Sequence, residues 1–337
     1  MNTKRNQMND KKLPLIITSE CLLGKPVRHN GGHLHQDWLT SDLAKFFEVR
    51  PICPELRMGL GVPRPAMRLV QDGDEAVRMV STPKKDQQEK DLTDSAKSVA
   101  KIMSDELLAL INDGLCGLIL AKKSPSCGLE RVKHYNPKSG VADKHGMGVF
   151  AYQFTKNIPG LPVIDSGRIH NLELRELFIR KAYAFYRFHQ QVTDIYSLQL
   201  FHQKYKYILM EFSSHNLQML GRIAANSDKK NFSEVFSSYR ELFLETINQK
   251  SPTRAKRKNV LLHLFGYFKK DLDQSDKSYF LELMQEYEKS FTPYIALVKM
   301  IAHFTQKYQQ AYLKDQYYLN PYPKELGLEK FIDSSAL

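Results

Sequence analysis

The chain has 337 residues, 42% of them hydrophobic and 26% charged, a balance that excludes a disordered or fibrous polymer and suits a globular protein of two domains. Its net charge of +12 is spread evenly, with 27 basic and 21 acidic side chains through residue 180 and 22 and 16 beyond it, which excludes a single basic tail. Such a charge suits an anionic partner (nucleotide, nucleic acid or anionic cofactor), although it is also common in proteins that bind none.

No apolar run approaches the roughly 18 residues of a membrane helix, and the first dozen residues are polar and basic with no apolar signal segment behind them. The sequence therefore predicts a cytoplasmic protein with no membrane partner and a disordered tail over residues 1–11. Residues 13–18 (LPLIIT) form a short β-branched apolar run, predicted as a buried first strand, and Cys21 follows just past its carboxyl end. The loop continues through Arg28, His29, Asn30, Gly31, Gly32 and His33, where paired glycines permit close backbone approach. Residues 37–47 read as an amphipathic helix, and residues 48–52 as a second strand that runs directly into Cys53-Pro54-Glu55. Residues 59–68 are too rich in Gly and Pro for a helix and are predicted as an ordered loop carrying Arg64 and Arg68.

A helix over residues 91–112 leads to a third buried strand over residues 116–121, with Cys116 as a core thiol at its start. That strand is closed by Lys122, Lys123 and Ser124-Pro125-Ser126-Cys127-Gly128. Pro125 holds Ser124 extended and Gly128 allows a positive φ, so a tight turn is expected to present a thiol and hydroxyls. A purely structural turn is the alternative. A helix over residues 147–157, a fourth strand over residues 161–165 and a long helix to about residue 188 complete the alternation. The expected fold is a doubly wound α/β domain with a mainly parallel sheet over residues 12–188.

In such sheets the loops at the carboxyl ends of the strands gather around one crevice. Cys21, Cys53 and Cys127 each follow a different predicted strand. Three thiolates in one crevice suit zinc with an open position, or an iron-sulfur cluster with one iron free of protein, and scattered loop thiols are the plain alternative. None of the four cysteines lies beyond residue 127, and none is expected in a disulfide.

From about residue 195 strands disappear and apolar residues recur at helical spacing, predicting an all-α second domain over residues 195–337 with helices near 198–212, 216–225, 232–248, 254–270, 278–288 and 293–308. Arg254-Ala255-Lys256-Arg257-Lys258 is a compact basic cluster. It reads as a solvated helix face or, with Tyr205, Tyr207, Tyr267 and Phe268 near it in sequence, as a surface for RNA or a protein partner.

Four ordered motifs carry a family resemblance. Ser19-Glu20-Cys21-Leu22-Leu23-Gly24, Val27-Arg28 with Gly31-Gly32-His33, Cys53-Pro54-Glu55 with Gly59-Leu60 and Pro63-Arg64, and Ser124-Pro125-Ser126-Cys127-Gly128 together resemble the bacterial thiouracil desulfidase (TudS-like) family over about residues 12–180. The second domain resembles the YbgA-like helical domain at residues 201–206, 220–222, 262–270 and 318–321. The resemblance implies a 4Fe-4S cluster held by Cys21, Cys53 and Cys127 with one open iron, and Glu55 and Ser124 as catalytic residues. The implied reaction is hydrolytic, non-redox removal of sulfur from thiolated uracil compounds such as a tRNA-derived 4-thiouridine monophosphate, the sulfide being captured on the cluster.

Sulfur is soft and iron thiophilic, so the chemistry is coherent: Glu55 would act on water or the ring nitrogen, and Ser124 would orient water or substrate. Arg28, His33 and Arg64 fall within the motifs and are the expected substrate contacts, with Arg68, Lys122 and Lys123 as further cations near the same loops. The chain departs from the family pattern at His29-Asn30, where Tyr-Asp is usual. Two rivals are a non-catalytic nucleic-acid-binding or redox-sensing iron-sulfur protein and a zinc hydrolase.

Overall fold

A computed structural model of the chain describes residues 12–73, 75–82 and 88–328, so the tail expected over residues 1–11 lies outside the described residues. Contacts divide the chain into two compact units, one of Met1–Pro159 with Val163–Gly167 and one of Gly160–Pro162 with Arg168–Leu337.

The first unit runs β1 (Leu15–Ser19), α1 (Asp37–Ser41), β2 (Glu48–Ile52), α2 (Pro54–Arg57), β3 (Ala66–Val70), β4 (Arg78–Thr82), α3 (Thr93–Ala109), β5 (Leu115–Leu120), β6 (Val132–Tyr135), β7 (Ala142–Gly146), α4 (Val149–Asn157) and β8 (Val163–Asp165). β1, β2, β5 and β8 form one sheet in the order β2-β1-β5-β8, with every pairing parallel. All residues of β1 and β5 are buried, as expected of central parallel strands covered on both faces. The order reverses direction beside β1, so the crevice beyond the carboxyl ends of β1, β2 and β5 lies at a topological switch point.

A second sheet, of order β4-β3-β6-β7, was not legible in the sequence. The stretch expected to be a loop through residue 68 ends in β3, which pairs antiparallel with β4 and parallel with β6. Leu69, Met79 and Val132 from this sheet pack with Ala96 of α3 in a small core of their own. The helix expected over residues 37–47 breaks after Ser41 and continues as a 3-10 turn over Leu43–Lys45.

The second unit is helical: α5 (Leu172–Gln191), α6 (Ile195–Phe212), α7 (Ser214–Ala225), α8 (Phe232–Ile247), α9 (Arg254–Phe265), α10 (Gln274–Glu288), α11 (Tyr294–Lys307) and the short α12 (Ala311–Lys314). Side chains of Asn171, Asp194, Ser213, Asn231, Thr253 and Asp273 accept backbone N–H groups at the starts of α5 to α10, which explains why the polar breaks in the sequence mark these boundaries well. Its centre is aromatic, with the Phe188 ring 5.0 Å from Phe236, 5.1 Å from Phe243 and 5.3 Å from Phe201. No helix among the described residues is long and apolar enough to cross a membrane.

Candidate active site

A cavity of about 410 Å³ opens at the carboxyl ends of β1, β2 and β5. Cys21, Cys53, Cys127, Glu55 and Ser124 all line it, so the structure brings together the three thiols and both expected catalytic side chains.

Each is positioned by a short local device. Cys21 sits in a 3-10 turn over Glu20–Leu23, and its carbonyl accepts the Leu34 N–H at 2.8 Å, tying the turn to the end of the following loop. Cys53 caps α2, a single turn with Pro54 at its start, and this turn carries Glu55 next to the thiol. The Cys127 loop is held by the amino end of α4: the N–H groups of Val149 and Phe150 donate to the carbonyls of Pro125 and Ser126 at 3.0 and 3.1 Å. Helix donors that lack an intrahelical partner thereby fix the loop.

Glycine is required at position 128 for space rather than for a positive φ, which is a correction to the sequence reading. A Cβ there would lie 2.4 Å from Val132 Cγ2 and 2.7 Å from the Ser124 carbonyl oxygen. The left-handed residue of this loop is Lys123, with φ of 57°.

The thiols are in different degrees of shelter, Cys21 and Cys127 buried and Cys53 half-buried. Burial pushes the Cys21 thiol up to about 11, reinforced by Cys53 and Glu55 and opposed by the Arg28 guanidinium. Cys53 is raised chiefly by burial, with Glu55 adding and Arg64 opposing, and Cys127 is raised strongly by burial. Thiols so raised must release protons when they become metal ligands. Among the described residues no group of three or more His, Cys, Asp or Glu is gathered in the manner of a site for a metal ion. Soft thiol donors around a cavity fit the chemistry of an iron-sulfur cluster, which is larger than one ion.

Glu55 is held at both oxygens. Ser126 Oγ donates to Oε1 at 2.8 Å, and Arg64 Nη2 forms a close ion pair with Oε2. Arg64, expected from the sequence as a substrate contact, is instead engaged within the protein. Its side chain is 4% exposed, it also donates to the carbonyls of Val27 at 2.9 Å and Gly61 at 3.1 Å, and it does not line the cavity. His33 also stays off the cavity wall: it is exposed, and its Nδ1 accepts the backbone N–H of His35 at 3.3 Å. Arg28 does line the cavity, together with His29, Lys122 and Lys123. Arg68 pairs with Glu89 at 3.0 Å and lies outside the lining. Ser126, to which the sequence reading gave no role, proves central; its place two residues from Ser124 in a motif with two hydroxyls was the available signal.

Cys116 is fully buried in β5, and its Sγ donates to the Leu15 carbonyl at 3.3 Å, so it is the core thiol expected from its strand. In the helical unit the basic cluster is largely used internally. Arg254 donates to Ser290 Oγ at 2.6 Å, Lys256 to the Phe212 carbonyl, Arg257 pairs with Glu211 at 3.3 Å and Lys258 with Glu288 at 2.6 Å. Tyr205 and Tyr207 are buried, as aromatic core.

Comparison with known proteins agrees with this division. Residues 16–166 match the 2-thiouracil desulfurase family and residues 206–323 match a protein family of unknown function, DUF1722. The uncharacterized protein YbgA of Escherichia coli (strain K12) is 25% identical over 129 residues, which is 38% of this chain and 76% of that protein. Among solved structures, a [4Fe-4S]-dependent thiouracil desulfidase, TudS, is 28% identical over 48% of this chain and 97% of that one, with a TM-score of 0.37.

Proposed function

From a chain that joins a TudS-like, 2-thiouracil desulfurase region to a YbgA-like helical region, we infer that the first unit is an iron-sulfur-dependent desulfidase acting on thiolated uracil nucleotides. The observation that carries this reading is that Cys21, Cys53 and Cys127 share one cavity wall with Glu55 and Ser124, each thiol at the end of a different parallel strand. Cys21, Cys53 and Cys127 would hold a 4Fe-4S cluster. When bound, such a cluster supplies a thiophilic Lewis-acidic iron toward the sulfur of a thiocarbonyl.

The chain's own residues do the rest. Glu55, fixed at both carboxylate oxygens, takes a proton from the attacking water or exchanges one with the ring nitrogen, and Ser124 orients water or substrate. Arg28, Lys122 and Lys123 line the cavity and give it a positive wall for a phosphate group, which favours a nucleotide such as 4-thiouridine monophosphate over the free base. The product is the uracil carbonyl compound plus sulfide, and the reaction needs no electron donor. The cations of the 254–258 cluster are engaged within the helical unit, so that cluster lends no support to a purely nucleic-acid-binding role.

The test is anaerobic reconstitution with iron and sulfide. About four irons per chain and loss of the thiocarbonyl absorbance of 4-thiouridine monophosphate are expected. Full iron loading with no loss of that absorbance would overturn the desulfidase reading, and stoichiometric zinc with a colourless protein would favour a hydrolase of another kind.

A further inference from the structure

Ser126 is 2% exposed, and its hydroxyl donates to Glu55 Oε1 at 2.8 Å. A hydroxyl has a single hydrogen to donate, so the 3.0 Å contact between the two serine oxygens has Ser124 Oγ as donor and Ser126 Oγ as acceptor. A competing acceptor for Ser126, the Cys127 sulfur, is 3.8 Å away and is weaker than a carboxylate oxygen. Ser124 Oγ in turn accepts the backbone N–H groups of Ser126 and Cys127, each at 3.2 Å. The far end is equally fixed, because Arg64 anchors Glu55 Oε2 while gripping the Val27 and Gly61 carbonyls. A directed chain results: Ser124 donates to Ser126, Ser126 donates to Glu55, and Arg64 donates to Glu55 from the other side.

We propose that Ser126 is a positioning residue that couples Glu55 to Ser124, and that Arg64 is the anchor of that chain rather than a substrate contact. Glu55 rides on the turn after β2 and Ser124 on the loop after β5, so their mutual orientation depends on a side chain that bridges the two loops. Ser126 provides that bridge and sets the direction of the Ser124 hydroxyl hydrogen. The purpose of the coupling rests on the desulfidase reading, but the coupling itself does not.

Unfolding midpoints of the full-length chain before cluster loading test the coupling directly. Ser124→Ala and Glu55→Ala together are expected to shift the midpoint by an amount that departs from the sum of the single shifts by about 2 °C or more. The same pair in a Ser126→Ala background is expected to be additive, because the bridge is gone. Additive shifts with Ser126 present, or unchanged coupling without it, would overturn the proposal.

On the loaded enzyme, Ser126→Ala is expected to lower kcat about tenfold with KM within about twofold, and Ser126→Thr, which keeps the hydroxyl, to recover most of it. Iron content equal to that of the parent chain separates this effect from damage at Cys127. A Ser126→Thr variant no better than Ser126→Ala would also overturn the proposal. If the parent chain removes no sulfur at all, the desulfidase reading fails separately and the unfolding cycle still decides the coupling.

Discussion

The two units bury polar side chains for opposite ends. In the helical unit they close on one another: Arg180 pairs with Glu211 at 2.6 Å and Glu176 at 3.7 Å, Arg257 pairs with Glu211 at 3.3 Å, and Tyr322 donates to Glu176 at 3.2 Å. In the α/β unit the thiols of Cys21, Cys53 and Cys127 line, with Glu55, Ser124 and Ser126, a cavity of about 410 Å³, whereas the space beside Glu176, Arg180 and Tyr322 is only about 20 Å³. A polar network with room beside it for no more than a water holds the fold, whereas one that fronts a cavity large enough for a ligand is available for chemistry. Substitutions in the two places should therefore fail in different ways.

The largest expected contrast is between two thiols of the same unit. Cys127→Ala is expected to abolish cluster retention and lower desulfidase activity more than about 100-fold, with iron analysis and visible absorbance as the readout. Cys116→Ala, in the core of β5, is expected to leave iron content and activity unchanged and to cost about 1 kcal/mol of stability at denaturant midpoint. Equal iron loss in both variants would break the distinction between cavity thiol and core thiol.

Glu211 provides the corresponding test in the helical unit. It is fully buried and is shared by Arg180 and Arg257, so Glu211→Ala leaves two sheltered guanidinium groups without their common partner. Loss of one member of a buried pair costs about 3–5 kcal/mol, and the thermal transition of this unit should fall accordingly. If instead the variant is as stable as the parent but fails to bind a ligand, the network is a site and the contrast drawn above is wrong.

Much of this contrast was readable from residues. β1 and β5 announce themselves as unbroken apolar runs, and polar N-caps such as Asp194 and Asn231 mark the helices of the second unit, because each signal is local. The second sheet was hidden for a physical reason. β7 is Ala-Asp-Lys-His-Gly with only its last residue buried, so no hydrophobic alternation shows, and the parallel pairing of β3 with β6 joins Leu69 to His134, far apart in the chain. Placing Cys21, Cys53 and Cys127 near one another required only the strand order. The role of Arg64 was not legible, because a guanidinium that anchors Glu55 and one that binds phosphate look the same in a sequence.

That ambiguity now gives a sharper comparison between two arginines. Arg28 lines the cavity and Arg64 does not, so Arg28→Met is expected to raise KM for a phosphorylated substrate about tenfold while leaving the free base little affected. Arg64→Met is expected to lower kcat for both substrates alike, since it releases Glu55 Oε2. Steady-state kinetics with 4-thiouridine and its monophosphate distinguishes the two, and a phosphate-selective defect in Arg64→Met would reverse the assignment.

The smallest expected effect is the pH response of the helical unit. His189 and His202 are both held down to about 4, by burial first, with Arg240 beside His189 and Lys206 beside His202 adding to it. The His189 ring donates Nδ1–H to the Phe185 carbonyl at 3.0 Å, a bond that opposes the shift without overcoming burial, and His202 Nδ1 lies 3.0 Å from Tyr239 Oη. The unfolded chain binds protons at these histidines below about 6.5 while the folded chain does not. Their stabilisation is therefore fully present above about pH 6.5 and is lost as pH falls toward 4, by about 1 kcal/mol per histidine at pH 5.5. Denaturant midpoints at pH 7.5 and 5.5 should show this loss. The loss should shrink in His189→Gln and His202→Gln, because a neutral amide has no proton to gain, and an unchanged pH response in both variants would assign the acid sensitivity to the carboxylates instead.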